Sequence, residues 1–87
     1  MKVKLQLETM SDISKFVQLC SQVEENVSVT DSIGHCVSAK SLLGMVYAME
    51  WSDIWCVCER EIYFIIKDFY LNTLAKRIDV GEFNVKK

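Results

Sequence analysis

The sequence predicts an α+β open-faced sandwich, a four-stranded antiparallel sheet with three helices on one face in the order β-α-β-β-α-β-α. Two patterns carry that prediction. Lys2-Val3-Lys4-Leu5-Gln6-Leu7 alternates strictly between polar and apolar, as a half-buried strand does, whereas Ile13, Phe16, Val17, Cys20 and Val23 recur at the spacing of one helical face. A third observation fixes the layering: alternating strands offer their polar face to water, so the helices interrupting them must cover the other face.

The first strand is expected over Lys2–Leu7, with Val3, Leu5 and Leu7 on one side. Thr9 or Ser11 can cap the first helix, expected over Ser11–Val23, and Asp12 in its first turn suits the positive end of the helix dipole. Glu24, Glu25 and Asn26 break the helical pattern before Val27-Ser28-Val29-Thr30 alternates again as the second strand. Asp31-Ser32-Ile33-Gly34 then turns the chain into a short third strand through His35, Cys36 and Val37, closing a hairpin. A second helix should open at Leu42 and end near Met49 or Glu50, with Trp51-Ser52-Asp53 as the connection. Ile54–Cys58, aromatic and β-branched, reads as the fourth strand, with Ile54, Cys56 and Cys58 sharing one face under the helices. From Glu61, Ile62, Ile65, Ile66 and Phe69 form a helical stripe, although the run Ile62–Ile66 is also prone to form a strand. Residues 71–87 read as an extension of that helix or a tail, leaving residues 1–70 as the domain.

Eighty-seven residues, 51% hydrophobic and 25% charged, leave room for one folded domain and are too apolar for a disordered chain. A net charge of −2 with scattered lysines and arginines gives no electrostatic footprint for nucleic acid. No apolar run approaches the ~20 residues that cross a bilayer, and the alternating N-terminus does not read as a signal peptide. A cytoplasmic protein with four reduced, mostly buried thiols is therefore expected.

The stretch Ser38–Met49, Ser-Ala-Lys-Ser-Leu-Leu-Gly-Met-Val-Tyr-Ala-Met, combines a helix-start serine, a glycine and more apolar residues than a short helix can turn inward. Ser41 is the expected N-cap. Gly44 costs about 1 kcal/mol relative to alanine inside a helix, so another element or a partner should approach closely there.

Ser-Ala-Lys-Ser-Leu-Leu-Gly-Met-Val, residues 38–46, resembles the segment before and through the second helix of HPr, the histidine-containing phosphocarrier of the bacterial sugar phosphotransferase system. The family pattern there is Lys-Ser, two apolar residues and glycine. The expected element order looks like that of the HPr-like open-faced β-sandwich over roughly Lys2 to Phe69. The resemblance implies that Ser41 stands at the family's regulatory serine, which a dedicated kinase phosphorylates in many Gram-positive members. It also implies that Leu42, Leu43 and Val46 match an apolar docking patch. A plain cap at Ser41, and packing of the leucines against the residues after Leu71, are the structural readings of the same features. Lys40 would add a cation beside a phosphate on Ser41.

The departure from the family lies at the first helix, where phosphocarriers have histidine, arginine and proline. Here the region is Glu8-Thr9-Met10-Ser11-Asp12-Ile13, and Thr9 stands about where the phosphohistidine should be. A threonine hydroxyl is a poor nucleophile and its phosphate ester a poor donor, and Glu8 and Asp12 repel an incoming phosphate.

The expectation is thus an HPr-like non-catalytic domain with a regulatory or protein-interaction role, using no cofactor and no metal. Its partner would be a protein, either a phosphotransferase-system component or a regulator, with the chain itself a monomer or weak dimer. One alternative is a phosphocarrier in sugar transport using a non-standard site. A second is a small metal- or ligand-binding module. His35, Cys36, Cys56 and Cys58 could converge on a metal, although Cys-x-Cys without a second pair is a weak zinc signal and His35 and Cys36 point to opposite faces. No nucleophilic triad, phosphate-binding loop or paired catalytic carboxylates are recognised, so no enzymatic activity is expected.

Overall fold

The computed structural model describes residues 1–70. Strands β1 (Lys2–Lys4), β2 (Val27–Thr30), β3 (Cys36–Ser38) and β4 (Trp55–Cys58) alternate with helices α1 (Met10–Cys20) and α2 (Leu42–Ala48). A third helix, α3, opens at 67–70, the limit of the described residues. The sheet is antiparallel throughout, in the order β1-β4-β2-β3, which makes β1 and β3 its two edges.

Register follows from alternation. Val3 pairs with Cys56, Cys56 with Val29, and Val29 with Val37, so one row of side chains crosses the sheet on a single face. That face, extended by Val27 and Cys58, meets Ile13, Phe16 and Cys20 of α1 and Met45 and Ala48 of α2, all of them buried. Phe16 packs edge-on against Phe69 with ring centroids 5.6 Å apart, which ties the end of the described chain to α1. On the opposite face Lys2 and Lys4 flank the Trp55 ring, with ammonium-to-centroid distances of 5.5 and 6.0 Å.

The α+β class and the four-stranded antiparallel sheet agree with the sequence reading; several boundaries do not. β1 ends at Lys4 because the chain peels away: the Leu5 amide still reaches the Ile54 carbonyl (3.0 Å), but the Gln6 amide turns to the Phe69 carbonyl (2.8 Å). Leu5 and Leu7 are nevertheless buried, so the alternation marked the right side chains without a strand beneath them. α1 begins at Met10 and stops at Cys20, short of Val23. β3 sits one residue later than expected, at Cys36–Ser38, and Ile54 lies just outside β4. The third helix does not begin at Glu61: residues 63–65 form a turn, with the Ile65 and Ile66 amides both directed at the Ile62 carbonyl, and helix follows from 67. Three of the five residues in Ile62–Ile66 are β-branched, which lowers the helix propensity of that run. The expectation for 71–87 lies outside the described residues.

Strand directions place everything else. β1 and β2 run together and β3 and β4 oppose them, so α1 begins at the sheet end that holds the β2–β3 turn and the last turn of α2. Ser41 and the start of α2 lie at the other end. Among the described residues no helix is long and apolar enough to cross a membrane.

Candidate functional site

Ser41 caps α2 as the sequence predicts: its backbone is extended (φ −102°, ψ 114°) and its Oγ accepts the Gly44 amide at 3.1 Å. A Cβ built on Gly44 would stand 3.1 Å from the Val37 Cβ, so the close approach that the glycine permits is to β3. Seating α2 this tightly buries Met45 and Ala48 and turns four apolar side chains outward: Leu42 (46% exposed), Leu43 (84%), Val46 (37%) and Tyr47 (56%). Leu42, Leu43 and Val46 thus share one exposed surface with the Ser41 hydroxyl at its edge. Lys40 is not available as a cation for that hydroxyl, because its Nζ donates to the Val23 carbonyl at 2.5 Å and ties the start of α2 to the chain following α1. That corrects the expectation that Lys40 would stand beside a phosphate.

Thr9 is separated from this surface by the length of the sheet, at the mouth of α1. Its Oγ1 accepts the Asp12 amide (3.1 Å) while Asp12 Oδ2 accepts the amides of Thr9 (3.2 Å) and Glu8 (3.0 Å), a complete capping box. The hydrogen bond from Glu8 is the largest influence holding the Asp12 carboxyl below its ordinary 3.8, with those from Thr9 adding to it. The amides at this mouth therefore hold a carboxylate of the chain itself.

His35 lies across the sheet, beside the other edge strand. Its Nδ1 sits 2.6 Å from Asp31 Oδ2, and its ring stacks on Trp51 at 5.3 Å with the planes 20° apart. Asp31 Oδ1 also accepts the amides of Ile33 (3.2 Å) and His35 (2.8 Å). Partial burial pushes the Asp31 carboxyl up, but the hydrogen bonds from His35 and Ile33 prevail and leave it below 3.8. Gly34, at φ 108°, supplies the left-handed residue that this turn requires. Behind it Asp53 accepts the Trp55 indole N–H (2.6 Å) and the Ser32 amide and hydroxyl, and its carboxyl is lowered chiefly by the indole.

All four cysteines are free; Cys20, Cys56 and Cys58 are buried and Cys36 is exposed. Burial pushes the Cys20 and Cys56 thiols up to about 12. His35 and Cys36 do not converge with Cys56 and Cys58, and among the described residues no three His, Cys, Asp or Glu side chains are placed to hold a metal. A concavity of about 200 Å³ lies between the exit of β1 and the α2–β4 connection, lined by Leu7, Met49, Trp51 and Ile54 among others. A wider one of about 440 Å³ is lined by Glu24, Glu25 and Glu59.

No protein-family model matches the chain, and no curated protein or solved structure matches it either.

Two groupings were missed by the sequence reading. The Tyr47–Trp51–His35 stack could have been half-seen, since Tyr47 and Trp51 are four residues apart at the end of a helix and meet edge-on at 5.9 Å. The Lys2–Trp55–Lys4 cluster carried no local signal, because it depends on β1 pairing with β4 and not with its sequence neighbour β2.

Proposed function

We propose that this chain is an HPr-like domain without phosphocarrier chemistry that works through protein contact at α2, with Ser41 as a phosphorylation switch. The observation that carries the reading is the surface formed by Leu42, Leu43 and Val46: apolar side chains on a single helix, exposed while their helix is firmly seated. It coincides with the stretch 38–46 on which the family resemblance rests, and Ser41 caps the helix at the position the resemblance implies.

The capping box supports the loss of the carrier role. A phosphoryl-bearing ring needs free amides or a cation around it, and at the mouth of α1 the Glu8 and Thr9 amides are directed at the Asp12 carboxylate. A phosphate on Ser41 would act differently. It would set a dianion against Leu42 and Leu43 and raise the desolvation cost of any apolar partner, with no compensating bond from Lys40.

The test is incubation with the first enzyme of the phosphotransferase system and phosphoenolpyruvate, followed by intact-mass measurement. The reading expects no acid-labile phosphate, together with backbone resonance shifts at Leu42, Leu43 and Val46 when the unphosphorylated enzyme is added. Acid-labile phosphate on the chain overturns it; an acid-stable phosphate on Ser41 after treatment with the serine kinase supports the switch.

A further inference from the structure

Of the two edges of the sheet, β1 is the one that carries charge. The Cys58 amide bonds the Met1 carbonyl (3.0 Å) and the Leu5 amide the Ile54 carbonyl (3.0 Å), so Met1, Val3 and Leu5 face β4 with their main-chain groups. Lys2 and Lys4 therefore each direct an amide and a carbonyl away from the sheet, and no hydrogen bond from the described residues reaches those four groups. Both lysine side chains are exposed on the open face, with their ammoniums 5.5 and 6.0 Å from the Trp55 ring centroid. Neither ammonium has an ion-pair partner among the described residues, whose two ion pairs are His35 with Asp31 and Arg60 with Glu25. The indole thus draws two like charges together without neutralising either. Val3, between them, turns to the face that the helices cover and is half-buried.

We propose that the β1 edge takes an extended acidic segment of a partner protein as a fifth, antiparallel strand, with carboxylates on two residues that flank one apolar residue. In that register the two acidic residues stand opposite Lys4 and Lys2, exchange main-chain hydrogen bonds with them, and set their carboxylates beside the ammoniums on the open face. The residue between them falls opposite Val3, on the helix-covered face, and is apolar for that reason. Charge selects this occupant over others. A second β1 would set lysine against lysine, and β3 carries no carboxylate, reading Cys-Val-Ser. Phosphates of a nucleic acid answer the ammoniums but are acceptors only, with no donor for the Lys2 and Lys4 carbonyls. The edge ends at Lys4, where the chain leaves the sheet, so two hydrogen-bonded pairs are the whole main-chain contact and binding is reversible and sensitive to salt. It uses neither Ser41 nor the exposed side chains of α2 and does not depend on the function proposed above.

The probe is the acetylated and amidated peptide Thr-Glu-Val-Glu-Thr, titrated to millimolar concentration into the isotope-labelled full chain at low salt. The amide resonances of Lys2, Val3 and Lys4 should shift, and hydrogen exchange at the Lys2 and Lys4 amides should slow about tenfold near saturation. Lys2→Gln with Lys4→Gln, at exposed positions, should weaken binding roughly three- to tenfold while circular dichroism stays unchanged. The same peptide N-methylated on both glutamates keeps its charge but cannot donate to the edge, so it should leave the exchange rates as they are. Absence of any shift at Lys2–Lys4 overturns the proposal, as does slow exchange of the two lysine amides in the chain alone, which would mean that the edge is already covered. Equal binding of Thr-Gln-Val-Gln-Thr or of the N-methylated peptide removes the charge or the strand pairing from the contact and overturns it too. So does equal protection by pentathymidylate, which would assign the edge to nucleic acid.

Discussion

Thr9 and Asp12 exchange hydrogen bonds at the mouth of α1, the hydroxyl of one accepting the amide of the other at 3.1 Å and the carboxylate returning the bond at 3.2 Å. The pair completes a helix start without any external ligand, and Glu8 donates a further amide to the same carboxylate. A position that the family resemblance associates with phosphoryl transfer is here a local stabilising device.

That device can be weighed. Thr9→Ala should cost about 1 kcal/mol in urea denaturation at neutral pH, the usual loss for an N-cap hydroxyl. Asp12 has a carboxyl lowered from 3.8, so the stability it adds is full above that value and disappears as the pH falls below it through the folded-state pKa. Asp12→Asn should therefore be less stable than wild type at neutral pH, with the gap narrowing below pH 3.8. Asp31 and Asp53 are lowered in the same direction, so wild type should still lose stability in acid after Asp12 is replaced. A gap that stays constant with pH would contradict the assignment.

The thiols should separate by reactivity. Cys20 and Cys56 lie in the core with their ionisation pushed up to about 12, and Cys58 is buried beside them. Only Cys36 is exposed. A chromogenic disulfide reagent should titrate one thiol quickly in the native protein and all four after denaturation. Rapid native reaction of a second thiol would mean that the sheet face beneath α1 opens far more readily than its packing implies.

Gly44 tests the seating of α2. In an exposed helix interior, glycine to alanine stabilises by about 1 kcal/mol. Here the new methyl would stand 3.1 Å from the Val37 Cβ, a strand atom fixed to the backbone and unable to swing aside. Gly44→Ala should therefore gain none of that stabilisation, and Gly44→Val should be plainly destabilised in thermal melts. A full gain for alanine would show that α2 can lift off β3 at no cost.

What the sequence made legible was local. The cap at Ser41 and the alternation of Val27–Thr30 each depend on residues within a few positions and stand as the sequence implied, and of the two caps it offered for α1, Thr9 and Ser11, the structure uses Thr9. The failures are long-range. Leu5 and Leu7 keep their burial but leave the sheet because the Phe69 carbonyl claims the Gln6 amide. Lys40 reaches the Val23 carbonyl, 17 residues away, instead of staying beside Ser41. His35, placed by the sequence in the third strand, lies just before β3 and takes Asp31 on one side and the Trp51 ring on the other, a contact that spans 16 residues.

The candidate surface on α2 divides core from contact most sharply at Leu43 and Met45, two residues apart on the same helix. Leu43 is 84% exposed and Met45 is fully buried. Leu43→Asp should change unfolding free energy by no more than about 0.5 kcal/mol, since it removes no packing and places an acid in the first turn of the helix. Met45→Ala should cost about 2–5 kcal/mol by emptying part of the core. Binding should follow the opposite order: in resonance titrations with the first enzyme, Leu43→Asp should abolish the response while the Met45 variant, at a temperature where it remains folded, retains it. If Leu43→Asp instead melts the protein, the exposed leucines support the fold itself and the docking surface lies elsewhere.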